Sequence, residues 1–395
     1  MKYIAENVPL WSVTTWDKSY IGVDKEWQPK TIKYKYLLSD ELDQINIGGD
    51  VCLLYTGKNT GYTTERLAGD ALCEGEIVSI PWGGTPSVKY YCGKFVTGDN
   101  RIATSNKPDT LLNKYLYYFM KGNLKEIASY YRGAGLKHPS MKDVLKMRIS
   151  YPDVITQKRI ISRFEHIETI IDLLDRQMKS LDELIKARFV EMFGNPITNE
   201  KNWDQKPLSV LTSKIGSGAT PKGGKESYIS EGISLIRSMN VHNGYFELKD
   251  LAHITDSQAS QLDNVTVKQN DVLLNITGAS VARCCTVPDA ILPARVNQHV
   301  CIIRCNDSII PIFLSNMLIE DNYQEHLWNI AGSGATREAI TKQQIENLSV
   351  IVPPIVLQKQ FIDFVKQVDK SKFVVQKSLD EAKLLFDRLM QEYFA

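Results

Sequence analysis

No run of apolar residues in this 395-residue chain approaches the roughly 18 needed to span a bilayer. The opening MKYIAENVPLWSV lacks the basic-then-apolar order of a secretory signal, so the chain reads as cytoplasmic. An excess of either charge is missing too. Lys plus Arg number 47 and Asp plus Glu 46, a net of +1. No bulk positive field announces nucleic acid, and any anion-binding surface must be built locally. The seven cysteines are odd in number and do not have the spacing of a disulfide framework. His299, Cys301 and Cys305 are the one tempting metal cluster, but they fall in QHVCIIRC, which reads as a strand. Residues four apart on a strand stand about 13 Å apart, too far to share one zinc. Buried, reduced thiols are expected.

Catalytic sets are missing as well. The string GSGAT occurs at Gly216–Thr220 and again at Gly332–Thr336, which invites a phosphate-binding loop. That motif needs glycine, four residues, then Gly-Lys-Ser/Thr. Counting on from Gly218 reaches Gly223, followed by Gly224 rather than lysine. Counting back from Gly224-Lys225 reaches Ala219, with Glu226 in the hydroxyl's place. What remains is a glycine-rich, lysine-bearing loop able to approach an anion through backbone N–H groups, or a plain surface turn. VPPI (Val352 to Ile355) lacks the acid amide and the aromatic residue of an amino-methylating loop. Pro152-Asp153 could open a nuclease motif, but its repeat mate is Pro353-Pro354, so it reads as helix entry. The six histidines form no evident nucleophile–base pair.

What the chain does contain is a duplication. At a shift of 201 residues, YPDVITQKRI (Tyr151 to Ile160) lies over VPPIVLQKQF (Val352 to Phe361), with Gln157-Lys158 on Gln358-Lys359. The register continues to Phe193 on Phe394. Upstream, with small gaps, Glu74–Val78 lies over Gln269–Leu273, Asp99-Asn100 over Asn297-Gln298, and Tyr115-Leu116 over Phe313-Leu314. Before that the halves diverge. The chain is two similar units, each a variable head followed by a regular tail.

Each tail carries apolar residues in steps of four and three, a heptad seam. The first seam is Ile160, Phe164, Ile167, Ile171, Leu174, Met178, Leu181, Ile185 and Met192, with Arg188 in one slot. The second is Phe361, Val365, Val368, Lys372, Val375, Leu379, Ala382, Phe386, Leu389 and Tyr393. Each predicts a helix of about 35 residues, roughly 50 Å long. The economical partner for each stripe is the other copy, in an antiparallel coiled coil that would hold the heads at fixed separation. The alternative is packing on the helix's own head or on another chain. The heads read as α+β, with short strands and Gly/Asn turns. The expected division is a first head at 1–152, a spacer helix at 153–194, a second head at 195–352 and a spacer helix at 353–395.

Side chains suited to reading bases are well represented. Arg and Lys pair with guanine, and Asn and Gln with adenine. The first head offers Trp82, Lys89, Lys94, Asn100 and Arg101; the second offers Arg237, Asn240, His242, Arg283, Arg295, Asn297, Gln298 and His299. The lysine-bearing loop adds Ser217, Thr220, Lys222 and Lys225, and the junctions between heads and tails add Arg132, Lys137 and Arg337.

At this point the residues resemble a known family. Two variable heads with long helical tails, and GSGATREAITKQQIENLSVIVPPIVLQKQ near the end, look like a specificity subunit of a Type I restriction–modification system. The junction at Gly332–Gln360 fits the family's Gly-rich turn, short helix and Pro-Pro run closely. In the first copy, Gly133–Arg159, Asp153 replaces the second proline. GSGATPKGG (Gly216 to Gly224) resembles the family's second-head opening, which the first head lacks.

The resemblance implies a non-catalytic chain whose heads read the two halves of a split double-stranded DNA target across a gap set by the helices. It also implies two DNA methyltransferase (modification) subunits and restriction/motor subunits as partners, no membrane, and no cofactor in this chain. S-adenosylmethionine, ATP and Mg would sit on the partners. The rival readings are a two-headed scaffold joining protein partners without DNA, and a fused two-domain transferase.

Overall fold

The structure is a computed structural model describing residues 3–20, 22–28, 30–221, 223–332 and 338–394. It divides into two compact units, Met1–Asp175 with Lys377–Ala395, and Arg176–Gln376. Each unit holds one α+β head and a part of each long helix.

In the first unit the head contributes β1 (Tyr3–Pro9), β2 (Thr14–Trp16), β3 (Val51–Leu54), β4 (Thr60–Thr63), β5 (Cys73–Pro81), β6 (Lys89–Thr97), β7 (Asn100–Ser105) and β8 (Arg148–Pro152). Six of these form one sheet in the order β2-β7-β5-β6-β3-β4. Only the β3–β6 pair is parallel. Strand β1 pairs with β8 apart from it. Side chains alternate across the sheet. Val78, Ile80 and Ala103 face helix α1 (Asn113–Gly122), which buries Tyr115, Leu116, Tyr118, Phe119 and Met120. Ile77, Phe95 and Ile102 form a cluster on the other face. Helix α2 (Val154–Phe193) follows β8.

The second head contributes β9 (Gln205–Pro207), β10 (Thr212–Ser217), β11 (Ile233–Ile236), β12 (Ala252–Ile254), β13 (Thr266–Val267), β14 (Val272–Asn275), β15 (Cys284–Thr286), β16 (Ala294–Val296), β17 (Val300–Cys305) and β18 (Ser349–Ile351). It also contributes helix α3 (Pro311–Leu318), and helix α4 (Ile355–Phe394) follows β18. Two sheets form here, β10-β17-β14-β15 and β12-β11-β16-β13.

The two heads share one plan. Strand β6 of the first head pairs antiparallel with β5, and its Phe95–Thr97 end pairs parallel with β3. In the second head β15 takes the first role and β16 the second, parallel to β11. Strand β5 is divided likewise into β13 and β14. The breaks fall at Lys268–Asp271, where Asn270 has φ 67°, and in the segment that holds Pro288 and Pro293. Buried Asp271 fixes the first break, taking two 2.7 Å bonds from Arg304 and the Lys268 N–H at 2.7 Å.

Two features of the expected repeat need correction. Val78 opposes Ala103 as Leu274 opposes Cys301, and both pairs face the helices. The mate of Val78 is therefore Leu274 rather than Leu273, which packs on the opposite face. A slip of one residue on a strand exchanges its faces. Nor is the whole stretch before Glu74 divergent. Pro9-Leu10-Trp11-Ser12-Val13-Thr14 matches Pro207-Leu208-Ser209-Val210-Leu211-Thr212, each a tight turn leading to a strand. Thr14 Oγ1 donates to Leu10 O at 2.7 Å, and Thr212 Oγ1 to Leu208 O at 2.8 Å. The Leu10 N–H reaches Met147 O at 2.8 Å, and the Leu208 N–H reaches Leu348 O at 2.9 Å.

The aligned glutamines show why the 201-residue register holds. Gln157 is fully buried in the first turn of α2; its Oε1 accepts the N–H of Leu112, the N-cap residue of α1, at 2.9 Å. Its Nε2 donates to Thr110 O at 2.6 Å and to Pro152 O at 2.7 Å. Gln358, equally buried, accepts the N–H of Ile310, the N-cap residue of α3, at 2.9 Å and donates to Pro353 O at 2.8 Å. Each glutamine ties the start of a long helix to the start of its head's helix.

Helices α2 and α4 are 40 residues each. In the first unit the start of α2 meets the end of α4, with the Phe164 ring 5.3 Å from Phe386 and 5.8 Å from Phe394. In the second unit the end of α2 meets the start of α4, with Phe189 and Phe193 at 5.5 and 5.6 Å from Phe361. The helices are antiparallel in each. The seam positions are buried (Ile160, Phe164, Ile167, Ile185, Phe361, Val365, Val368, Val375, Leu379) or half-buried (Ile171, Leu174, Met178, Leu181, Phe386, Leu389). Lys372, the apolar seam's exception, pairs with Asp182 at 2.6 Å. The seam misses Phe189 and Phe193, which are buried between Phe361 of α4 and Phe313 of α3; Phe193 lies 4.9 Å from Phe313.

Candidate nucleic-acid interface

In the second head the first GSGAT string leaves β10 and crosses the turn between β16 and β17. The Gly218 N–H donates to Asn297 O at 3.1 Å. A Cβ on Gly218 would stand 1.8 Å from Val296 O, so only glycine fits this crossing. Two residues on, Thr220 Oγ1 donates to Gln298 Oε1. Asn297 is buried and shapes the turn, its Oδ1 taking the His299 N–H at 3.0 Å. Gln298 is exposed. Its Nε2 lies 3.2 Å from His299 Nε2, and His299 Nδ1 lies 2.5 Å from Thr277 Oγ1. An amide nitrogen can only donate. With the amide so placed, His299 Nε2 accepts from it, and the other ring nitrogen meets the Thr277 hydroxyl. Ser238, Met239, Thr277, Ser280, Arg283 and His299 border an open groove of about 410 Å³. Hydroxyls, an imidazole and a guanidinium in an open groove, with the Gln298 amide beside His299, suit base edges and phosphates.

Several expected readers are placed elsewhere. Asn240 is buried, accepting the Arg237 N–H at 3.1 Å and donating to Glu247 O at 3.0 Å. Arg295 is buried against Asp263 at 2.7 Å and Ala259 O at 3.1 Å. These two and Asn297 hold the framework, because buried polar groups take their partners inside the protein. Arg237 bonds Asp250 O and stands 5.5 Å over the Tyr228 ring. His242 stacks on Tyr245 at 4.7 Å. Ser217 and Lys225 are exposed on the loop. Lys222 and Arg337 lie outside the described residues, as does 333–336 of the second GSGAT.

The first head builds its surface at the corresponding place. Trp82 follows β5 as Gly278 follows β14, and the junction closes on it, with His138 Nδ1 2.7 Å from Trp82 O. In the second head the Gly278 N–H donates to Glu338 O at 2.9 Å. The Arg101 guanidinium stacks 3.9 Å over Trp82 and pairs with Asp99 at 2.8 Å. Its side chain is only 4% exposed, so Arg101 braces Trp82 and does not reach outward. Asn100 is buried on Leu54 O at 2.8 Å. Lys89 holds the carbonyls of Tyr55 and Gly57, and burial pushes its pKa down. Lys94 pairs with Glu65.

Among the proposed first-head readers, Trp82, Lys94, Arg132 and Lys137 keep surface positions. Arg132 pairs with Asp143 at 3.0 Å while 73% exposed, and Lys137 is exposed. An opening of about 450 Å³ beside Trp82 is lined also by Lys18, Tyr20, Ser140 and Lys142. Tyr20 is anchored through its OH to Asp17 at 2.7 Å, whose carboxyl burial pushes up. These lining residues escaped the sequence reading. Lys18 and Lys142 are far apart in the chain and share no motif; only the shared head plan brings them together.

Among the described residues no three His, Cys, Asp or Glu side chains converge on a metal-sized site. Burial raises the thiols of Cys284, Cys285, Cys301 and Cys305, the last three to about 12. No helix among the described residues is long and apolar enough to cross a membrane.

Comparison with known proteins places this geometry in a family. The model described as Type I restriction modification DNA specificity domain matches twice, at residues 28–183 and 200–382. The Type I restriction enzyme MjaVIII specificity subunit of Methanocaldococcus jannaschii is 18% identical over 331 residues, covering 80% of this chain and 77% of that one. The Type I restriction enzyme EcoBI specificity subunit of Escherichia coli is 20% identical over 351 residues, covering 81% and 72%. The solved S subunit of a Type-I restriction-modification system from M. genitalium shares the fold, with a TM-score of 0.58, 14% identity, and coverage of 98% and 96%. A structure from work on type I R-M complex assembly and conformational transition has a TM-score of 0.50 at 16% identity, covering 89% and 96%.

Proposed function

The chain belongs to the Type I restriction–modification DNA specificity family, and we propose that it reads a bipartite, asymmetric DNA target, one half-site per head. Specificity subunits are non-catalytic, and its role is DNA target recognition within a restriction–modification system. One observation carries the bipartite reading. Two heads of the same plan present unlike polar surfaces at the same place, Trp82 with Lys18 and Lys142 in one, and Gln298 with His299 and Arg283 in the other. Unlike readers suit unlike half-sites.

In this reading residues 1–152 and 195–352 are the target recognition domains, and 153–194 and 353–395 are the spacers that set the gap. Two methyltransferase subunits carrying S-adenosylmethionine, and restriction/motor subunits using ATP and Mg, assemble on the chain in the cytoplasm. The long helices suit docking, since Phe373 and Val374 on α4 are 73% and 62% exposed and Leu173 on α2 is 58% exposed. Partners also supply phosphate contacts that a near-neutral chain lacks. Methylation sequencing of cells carrying the chain and its methyltransferase tests this. One asymmetric motif with a gap of several base pairs is expected; a continuous motif, or none, refutes it.

A further inference from the structure

We propose that Gln298 is a specificity-determining residue that selects adenine at one position of the half-site read by the second head, with Thr220 and His299 as its positioning residues. The proposal rests on the reading of that head as a DNA reader.

An exposed glutamine ordinarily samples many rotamers. Gln298 is exposed yet held at both ends of its amide, Oε1 by Thr220 and Nε2 by His299. In this placement Oε1 faces the Thr220 hydroxyl and Nε2 faces the imidazole. Thr277 Oγ1 meets Nδ1 on the other side of the imidazole and so keeps the ring in place beside Gln298. Thr220 is brought to the other end by the Gly218 crossing, which no side chain would permit.

Each amide atom keeps one capacity beyond these bonds. Oε1 has a second lone pair and Nε2 a second N–H. Side by side, one acceptor and one donor match the N6–H and N7 of adenine in the major groove. Guanine offers two acceptors on that edge, N7 and O6, and would face the amide oxygen with a like group. The groove beside Gln298 carries Arg283 and hydroxyls for neighbouring contacts.

The test uses the purified complex of this chain with its methyltransferase. Duplexes randomised one position at a time around the wild-type motif are bound and sequenced. Gln298→Ala should lower the preference for one A·T pair roughly ten-fold or more, leaving the other positions and the other half-site unchanged. Gln298→Glu should move that position toward cytosine, whose N4 amino group donates to a carboxylate. Thr220→Val, which keeps the amide, should weaken the same position by less. Unaltered preferences in Gln298→Ala, or relaxation at a G·C pair, overturn the assignment. If Gln298→Ala binds no duplex, an unaltered position in Thr220→Val overturns it. A wild-type complex with no bipartite motif refutes the reading of the whole chain instead.

Discussion

Replacing Gln157 by leucine keeps the volume of a fully buried side chain and removes three hydrogen bonds, to Leu112 N, Thr110 O and Pro152 O. Each buried group left without a partner costs about 1–3 kcal/mol. The carbonyls can relax toward other donors more readily than the lone N–H, so the sum should be about 3–5 kcal/mol. Gln358→Leu removes two bonds and should cost about 2–4 kcal/mol on the same scale. A chain of two compact units need not unfold in one step, so the readout should be local. Hydrogen exchange followed by mass spectrometry supplies it. In Gln157→Leu the amides of Asn113–Gly122 should exchange roughly a hundred-fold faster, while those of Pro311–Leu318 keep their protection. Gln358→Leu should show the reverse, and the double variant should show both effects unchanged in size, as expected for separate sites. Unchanged protection of α1 in Gln157→Leu would refute the claim that this glutamine ties the long helix to its head. Equal loss in both heads would refute the independence of the two ties.

Inserting one heptad within Ile160–Met192 and one within Phe361–Tyr393 should widen the methylated motif's gap by roughly three base pairs, at 1.5 Å per helical residue and 3.4 Å per base pair. Altered half-sites in the methylation pattern would contradict the spacer reading. Gly218→Ala should abolish recognition of one half-site, since its Cβ would meet Val296 O at 1.8 Å, whereas Gly332→Ala, whose Cβ meets nothing within 4 Å, should leave the motif intact; motif sequencing compares them. Iodoacetamide at pH 8 should label exposed Cys92 first in the folded chain. Cys285 and Cys301, pushed up to about 12 by burial, should react only after denaturation, as peptide mass spectrometry would show.

The tails were legible because a coiled-coil seam is written locally. Steps of three and four name the inward positions without knowledge of anything distant. The same rule failed at Phe189 and Phe193, where α3 packs on α2 beside α4 and shifts the buried face, and the seam placed Arg188 and Met192 inward instead. Arg188 lies 5.7 Å over the Phe364 ring and pairs with Glu191. In the heads, residue type was legible and placement was not. Asn100, Arg101, Asn240, Arg295 and Asn297 all have the chemistry of base readers, and all are buried. Turns beside strands attract polar residues both to shape the turn and to meet solvent, and a single sequence does not separate the two uses. The match of PLWSVT with PLSVLT went unseen because three identities in six positions are weak evidence, although both threonines make the same bond in the same turn.

The two GSGAT strings show the limit from the other side. Five identical letters suggest one role, yet the steric demand differs between them. Gly218 has Val296 O where a Cβ would go, and that contact brings Thr220 to Gln298. Gly332 ends a helix, Asp321–Gly332, with open space where its Cβ would be. The repeat register agrees, since a shift of 201 sets Gly332-Ser333-Gly334 over Tyr131-Arg132-Gly133. Gly218 instead corresponds to Asp17, since Ser217 opposes Cys301 as Trp16 opposes Ala103, and Asp17 anchors Tyr20 in the first head's own loop. Equivalent places in the two heads therefore carry glycine and aspartate, while identical strings sit at unrelated places. The duplication lies in backbone plan and buried ties such as Gln157 and Gln358, and the surface loops are where the heads were free to become different readers.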